Sequence, residues 1–362
     1  MCVLTPFVRI LFILRHFLPE QSGMATQMFN TVHFLKKQKM DVKVVRVLYK
    51  SEASNHEYVS ETIPGSFSME KELMRIKKKY RPDIVHFDST WPMGRAITKV
   101  FKDETKVIGV GGRTFDEYRD YCKYTGGNRF IGKLKGVVLA SVARRVLNAV
   151  DIVLAEGLDI KEHLIANGVK TTIEAINNGV DFSRFRYRPT KGKKALFFGR
   201  FSWENGPDKF IKIMEGLPEF QGTMVGYGPQ ESKLKELAAG TNVKVLGPVK
   251  WEGIPNLLES YDFIVLPFRR IGGISQTVTE AMAAGKTVMT TNVGDLANVI
   301  RHGTTGFFFQ DDADARNLLI KVDRDSKLRR RVERAARDKI KVDLSWESVI
   351  KKYIQLYKKY QR

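Results

Sequence analysis

Short apolar runs alternate with segments of helical period along almost the whole chain, and this alternation excludes most folds. Strand-like runs cover residues 10–14, 42–47, 84–87, 107–110, 152–155 and 172–176. Between the first two, MATQMFNTVHFLKK at 24–37 carries apolar residues at helical spacing. A strand–helix–strand order returns each strand parallel to the last, with helices on both faces of the sheet. The segment RYRPTKGKKA at 186–195 then breaks the pattern: it is charged, holds Pro and Gly, and has no apolar face, as a linker would. Alternation resumes with strand-like runs at 195–198, 222–225, 243–246, 263–267 and 287–290, and helical ones at 207–214, 231–237, 255–260 and 277–284. The pattern predicts two α/β domains joined by a basic hinge. A last helix over 345–360 places Trp346, Val349, Ile350, Tyr353, Ile354 and Tyr357 on one face.

The chain has 362 residues, enough for two cores, and 43% of them are hydrophobic, which fits a globular protein. Its formal charge of +21 draws anions: nucleotides, nucleic acid or an anionic bilayer. The basic clusters at 77–79, 129–135, 144–145 and 329–331 lack the aromatic interleaving of a single-strand binder, so they read as solvated helix faces and nucleic acid is not an expected partner. Cys2 and Cys122 have no CxxC spacing, which points to a reduced, cytoplasmic setting. The six histidines form no HxxxH or HExxH pair, so no metal is expected. VRILFILRHF at 8–17 is short and interrupted by Arg9 and Arg15, and reads as a buried strand rather than a membrane span.

The stretch with most chemical content is GGISQTVTEAMAAG at 272–285. A glycine-lined loop enters an alanine-rich helix, where amides can approach a phosphate closely. Glu280 there has two readings: an acceptor for ribose hydroxyls, or half of a capping box with Thr277. Arg200 follows the apolar strand ALFF and Gly199; it suits a diphosphate, or a surface ion pair. Further glycine loops at strand ends are PEQSGMA, with Ser22 and Gly23, and VGYGP at 225–229. AAGKT at 283–287 imitates the tail of a P-loop, but a carboxylate stands at its leading glycine and it ends a helix instead of opening one. His86, Asp88, Arg15 and His16 sit at strand ends, where hydrogen bonding is the commoner use.

Several of these segments together resemble the family 4 glycosyltransferases. INNGVDFSRF (176–185) resembles that family's entry to the donor domain, GRFSWENGPDKFI its "GR…EKG…I" run, and VGYGP its "GdGP". NVKVLGPVKWEGIPNLLESYDFIVLP and GISQTVTEAMAAGKTV resemble its next two blocks, and the SW pair at 345–346 its terminal helix. The resemblance implies a GT-B fold of two Rossmann-like domains, 1–186 for the acceptor and 187–342 for the donor, with 343–362 crossing back onto the first. It implies retaining transfer from a nucleotide sugar to a glycan, lipid-linked or other hydroxyl acceptor, as in polysaccharide biosynthesis, with no metal and no cofactor beyond that substrate. It places Arg200 on the donor diphosphate and Glu280 on the ribose. Around them it puts Gly23, Gly199, Asn205, Gly228, Gly273, Ile274, Ser275, Gln276 and Thr277. A cytoplasmic protein attached to the inner membrane face suits a lipid-linked acceptor and the basic surface.

Three positions depart from the family. The first acid of its Glu-x7-Glu pair is Gly272, the lysine of "EKG" is Asn205, and the histidine of its "vHG" segment is a glycine in VGGR at 110–113, beside Arg113. Each lost charge-stabilising donor removes roughly 3–4 kcal/mol of transition-state stabilisation. Lys209, Arg269 and Arg270 are the nearest substitutes in sequence, and one of them is expected to approach the diphosphate. A binder or scaffold without catalysis is the alternative.

Overall fold

The strands IVHF, IVLA and FIVL have every residue buried, as parallel strands covered on both faces require. The computed structural model describes residues 8–18, 23–49, 56–66, 68–119, 129–190 and 192–361. Cys2, Ser22 and Cys122 lie outside the described residues. The chain divides into two units, 1–177 with 349–362, and 178–348.

The first unit holds β1 (Arg9–Leu14), β2 (Asp41–Leu48), β3 (Glu61–Pro64), β4 (Ile84–Phe87), β5 (Thr105–Val110), β6 (Ile152–Ala155) and β7 (Thr172–Ala175). They form one parallel sheet in the order β3-β2-β1-β4-β5-β6-β7. Its helices are α1 (Gly23–Lys37), α2 (Met69–Tyr80), α3 (Arg95–Val100), α4 (Thr114–Arg119), α5 (Arg129–Leu147) and α6 (Leu158–Ala166). β3 is absent from the apolar pattern because ETIP is a polar edge strand that ends in proline.

The second unit holds β8 (Lys194–Arg200), β9 (Gln221–Tyr227), β10 (Val243–Leu246), β11 (Phe263–Leu266), β12 (Thr287–Thr290) and β13 (Phe307–Phe308). Their order is β10-β9-β8-β11-β12-β13, again parallel. The helices are α7 (Pro207–Glu215), α8 (Glu231–Ala238), α9 (Ile254–Glu259), α10 (Gln276–Ala283), α11 (Asp312–Arg324) and α12 (Ser326–Asp343).

The units change over between Asn177 and Asn178, before the expected break after 186. Residues 178–185 pack within the second unit: Val180 bridges to Ser345, Gly179 lies under the Trp346 indole, and Arg184 stacks on Trp251. The last helix, α13 (Trp346–Tyr360), belongs to the first unit from Val349 onward. Its Tyr353 and Tyr357 are buried there, and the Tyr357 hydroxyl lies 2.6 Å from His86 Nδ1. Thr105 donates to the Tyr360 carbonyl at 2.6 Å, which fixes the end of the helix.

Candidate active site

In the second sheet the strand order reverses between β8 and β11, so the loops leaving these two strands diverge and open a crevice at their carboxyl ends. One loop carries Gly199, Arg200 and Asn205; the other carries Arg269, Arg270 and the GGISQ segment. The two meet: a side chain at Gly199, where φ is +139°, would stand 3.7 Å from Thr277 Oγ1. The amides of Arg269 and Arg270 both donate to the Glu204 carbonyl, at 2.8 and 3.2 Å. Gly206, at φ +67°, sits so close under Pro267 that any Cβ would collide with its carbonyl oxygen. The VGYGP turn closes the third side. Phe201 donates its amide to the Tyr227 carbonyl at 2.7 Å, and the backbone of Gly228 lies against that of Phe201.

α10 opens into this crevice. Its N-cap is Ser275, whose side chain makes no capping bond, so the first amides have no intrahelical acceptor and point outward. The capping box read from Thr277 and Glu280 does not form, because the helix starts one residue before Thr277. Glu280 faces inward and is buried. Burial pushes its carboxyl up to about 7, against the pull of the Arg184 guanidinium and a hydrogen bond with Gln276. A buried carboxyl beside an unfilled helix start is suited to accept hydroxyl donors from a polar ligand. Gly273 and Ile274 supply backbone to the same loop, which Asp295 anchors by donating its amide to the Gly273 carbonyl at 3.0 Å.

The substitute cations separate. Arg269 grips Asp208 with two bonds of 2.7 and 2.6 Å, donates to the Trp203 carbonyl at 2.9 Å and lies over the Trp203 ring. It braces the loop and offers no open fork for a phosphate. Arg200 is exposed at the end of β8, and among the described residues no carboxylate pairs with it or with Lys209. Asn205, at the lysine position, is half-buried and donates its side-chain amide to the Arg200 carbonyl at 2.9 Å.

Two residues at this site carry no signal in the sequence pattern. Arg184 stacks on Trp251 with its guanidinium 3.2 Å from the ring centroid and donates to the Trp251 carbonyl at 2.7 Å. Its charge is what draws on Glu280. The three residues lie far apart along the chain, and only the fold assembles them.

The remaining candidates have structural uses. Asp88 accepts the amides of Arg15 and His16 at 2.9 and 2.8 Å, tying the loop after β1 to the end of β4. His86 is fully buried, and desolvation pushes it down to about 3. Lys286 of AAGKT is buried and donates to the carbonyls of Arg188 and Glu259, at 3.2 and 3.5 Å, so its ammonium is turned into the interior and not toward a phosphate. Arg113 pairs with Asp116 at 2.7 Å. Gly111 has a neighbour instead of a side chain: the Glu156 carboxylate sits 2.6–2.7 Å from where its Cβ would be. Gly23 opens α1 with no described atom within 4 Å of such a Cβ, so no local crowding demands glycine there. Among the described residues no group of three His, Cys, Asp or Glu gathers as a metal site would.

Comparison with known proteins agrees with this geometry. The family described as Glycosyltransferase Family 4 matches residues 21–184, and Glycosyl transferases group 1 matches residues 180–339. An uncharacterized 42.6 kDa protein in the cps region of Klebsiella pneumoniae is 27% identical over 300 residues, 81% of this chain and 76% of that one. Anabaena HepE in complex with UDP-glucose superposes with a TM-score of 0.77 at 14% identity, over 97% of this chain and 99% of that one. Sucrose-phosphate synthase from Thermosynechococcus elongatus does so at 0.76 and 16%, over 97% and 98%. The structural likenesses speak for the fold, and the two family matches run one into the other from residue 21 to 339. The chain belongs to the family 4 glycosyltransferases and has their GT-B fold.

Proposed function

We propose that this protein transfers a sugar, with retention and without a metal, from a nucleotide sugar to a hydroxyl of a glycan or lipid-linked acceptor. The observation that carries the reading is the crevice between β8 and β11, where Gly199, Arg200, the open start of α10 and the buried Glu280 converge. In this reading Arg200 holds the diphosphate, with Lys209 as its second cation. The amides of Ser275, Gln276 and Thr277 take phosphate oxygens, and Glu280 takes the ribose hydroxyls. During transfer the bond from the anomeric carbon to the phosphate oxygen breaks, and the bond to the acceptor oxygen forms on the same face. The acceptor proton passes to the departing phosphate. The protein then acts by positioning the reactants and stabilising charge. HepE was solved with UDP and with UDP-glucose, which makes a uridine donor the first to try.

Asn205 favours a second reading, a nucleotide-sugar binder that does not turn over. Its side chain is engaged within the loop, and Gly272 offers backbone alone. A thermal-shift panel with UDP, GDP, ADP and CMP and their sugars separates the readings, followed by transfer assays with whichever donor binds. A ligand at a hundredfold above its Kd adds about 2.7 kcal/mol of stability. A base-selective shift lost in Arg200→Ala and Glu280→Ala, together with product formation, supports the transferase. The same shift without product supports the binder, and no shift with any nucleotide removes both.

A further inference from the structure

The first sheet has a switch point of its own. Its order reverses between β1 and β4, so the loops leaving those strands diverge at their carboxyl ends. Three loops meet there. Asp88, after β4, holds the amides of Arg15 and His16 after β1. Tyr49, at the end of β2, reaches the backbone of Met93 in the loop after β4. Gly65 makes room for the Tyr49 ring, which a Cβ at that position would strike.

Two arginines stand on these loops with their charge uncommitted. The Arg15 guanidinium lies over the Tyr49 ring, 5.2 Å from its centroid, and Arg95 lies over Trp91 at 5.7 Å. Both arginines are exposed, and among the described residues neither side chain pairs with a carboxylate. Arg9, Arg113 and Arg269, by contrast, are each gripped by an aspartate. A ring beneath a guanidinium fixes its plane and leaves its N–H edge to donate to an anion. Trp91 is 42% exposed, so it offers aromatic surface beside those donors. An indole next to planar cations matches a sugar that carries an acidic group. The C–H edges of such a sugar suit the ring, and its carboxylate or phosphate suits the guanidinium forks.

We propose that this end of the first sheet binds an acidic sugar of the acceptor, with the sugar ring on Trp91 and its carboxylate or phosphate held by Arg15 and Arg95. A neutral glycan would leave both guanidiniums without a partner. A nucleic-acid strand would need successive open rings, and Tyr49 already lies between Arg15 and Gly65. The donor phosphates have their own cation and amides in the second unit. The inference rests on the transfer reading, which supplies an acceptor, and adds that this acceptor is anionic at the sugar.

The test is isothermal titration of the full chain, with no donor present. The probes are tetrasaccharides containing glucuronate or galacturonate, the same tetrasaccharides with their carboxyls reduced to alcohols, and a phosphorylated neutral tetrasaccharide. A carboxylated or phosphorylated probe is expected to bind about tenfold or more tighter than the reduced ones, and the tighter of the two names the acidic group. R15Q/R95Q is expected to lose that preference at an unchanged melting temperature, since both side chains are exposed. W91A should weaken acidic and reduced probes alike. K133Q/K135Q removes the same charge from exposed positions on α5 and should keep the preference. Equal binding of acidic and reduced probes by the parent, or no binding of any, would overturn the proposal. So would a preference that survives R15Q/R95Q or falls equally in K133Q/K135Q, which would assign it to overall charge. Tighter binding of oligouridylate, lost in R15Q/R95Q, would give the site to nucleic acid instead. A protein that prefers the acidic probe but binds no nucleotide fails the transfer reading alone; one that transfers sugar without the preference fails only this one.

Discussion

Both units bury a titratable side chain close to the carboxyl ends of a parallel sheet, and they do opposite things with it. In the first unit His86 is sealed against Tyr357 of the C-terminal helix, fully buried and uncharged. In the second, Glu280 lies under the start of α10, where the amides have no side-chain cap and the nearest cation is Arg184. Similar sheet architecture therefore yields a closed structural joint in one place and an open polar socket in the other. What differs is the covering: a helix returning from the far end of the chain, or loops that meet at the strand ends. His86 is bonded to Tyr357 beneath a packed helix, whereas Glu280, held by Gln276 and drawn by Arg184, lies beside a helix start whose amides carry no side-chain cap.

The contrast can be broken most severely at the seal. Tyr357→Ala removes a fully buried aromatic and leaves a cavity beside His86, so the first unit is expected to lose about 3–5 kcal/mol. Denaturant unfolding followed by peptide-resolved hydrogen exchange would locate the loss; a second unit weakened as much as the first would contradict the division. Arg200→Ala acts on the socket alone. Arg200 is exposed and its side chain is in no described ion pair, so stability should hold while transfer falls by roughly 3–4 kcal/mol, a hundred- to a thousandfold in kcat/KM. Unchanged turnover in that variant would remove Arg200 from the site.

pH sharpens the comparison because the two shifts have opposite signs. Glu280 titrates near 4.5 unfolded and about 7 folded, so its contribution is complete below pH 4.5 and is lost as pH rises toward 7. The loss is about 3 kcal/mol. His86 titrates near 6.5 unfolded and about 3 folded, so its contribution is complete above pH 6.5 and is lost as pH falls toward 3. Glu280→Gln should reduce the slope of the second unit between 4.5 and 7, leaving the part that Glu333 contributes, since burial raises that carboxyl too, and should leave the acid limb of the first unit untouched. An unchanged slope in Glu280→Gln would place the titrating group elsewhere. The smallest effect is expected at Gly111→Ala, whose methyl must displace the Glu156 carboxylate, at about 1–3 kcal/mol. A melting temperature equal to the parent's would mean that Glu156 moves aside freely.

How much was legible follows from the range of each interaction. Runs such as IVHF and FIVL could be read as buried parallel strands because four consecutive apolar residues leave a strand no polar face. ETIP could not, since an edge strand needs neither period nor apolarity. The glycine loops, Arg200 and Glu280 were visible because a close backbone approach restricts residue type. Arg184 and Trp251 were not, since a stacked guanidinium and indole impose no pattern on their neighbours. Arg269 looked from its position like a spare cation, and Asp208 claims it.

The succession of most strands and helices along the chain, the family motifs and the residue types at the donor loops were thus decided by the sequence alone, because local propensity and burial act over a few residues. Tertiary structure decided which side chains are engaged and which are open. It set Asn205 on the Arg200 carbonyl, Glu156 in the space at Gly111, and the bulky side of α5 toward solvent. Those outcomes depend on partners brought from distant parts of the chain, whose positions exist only once the sheets have formed.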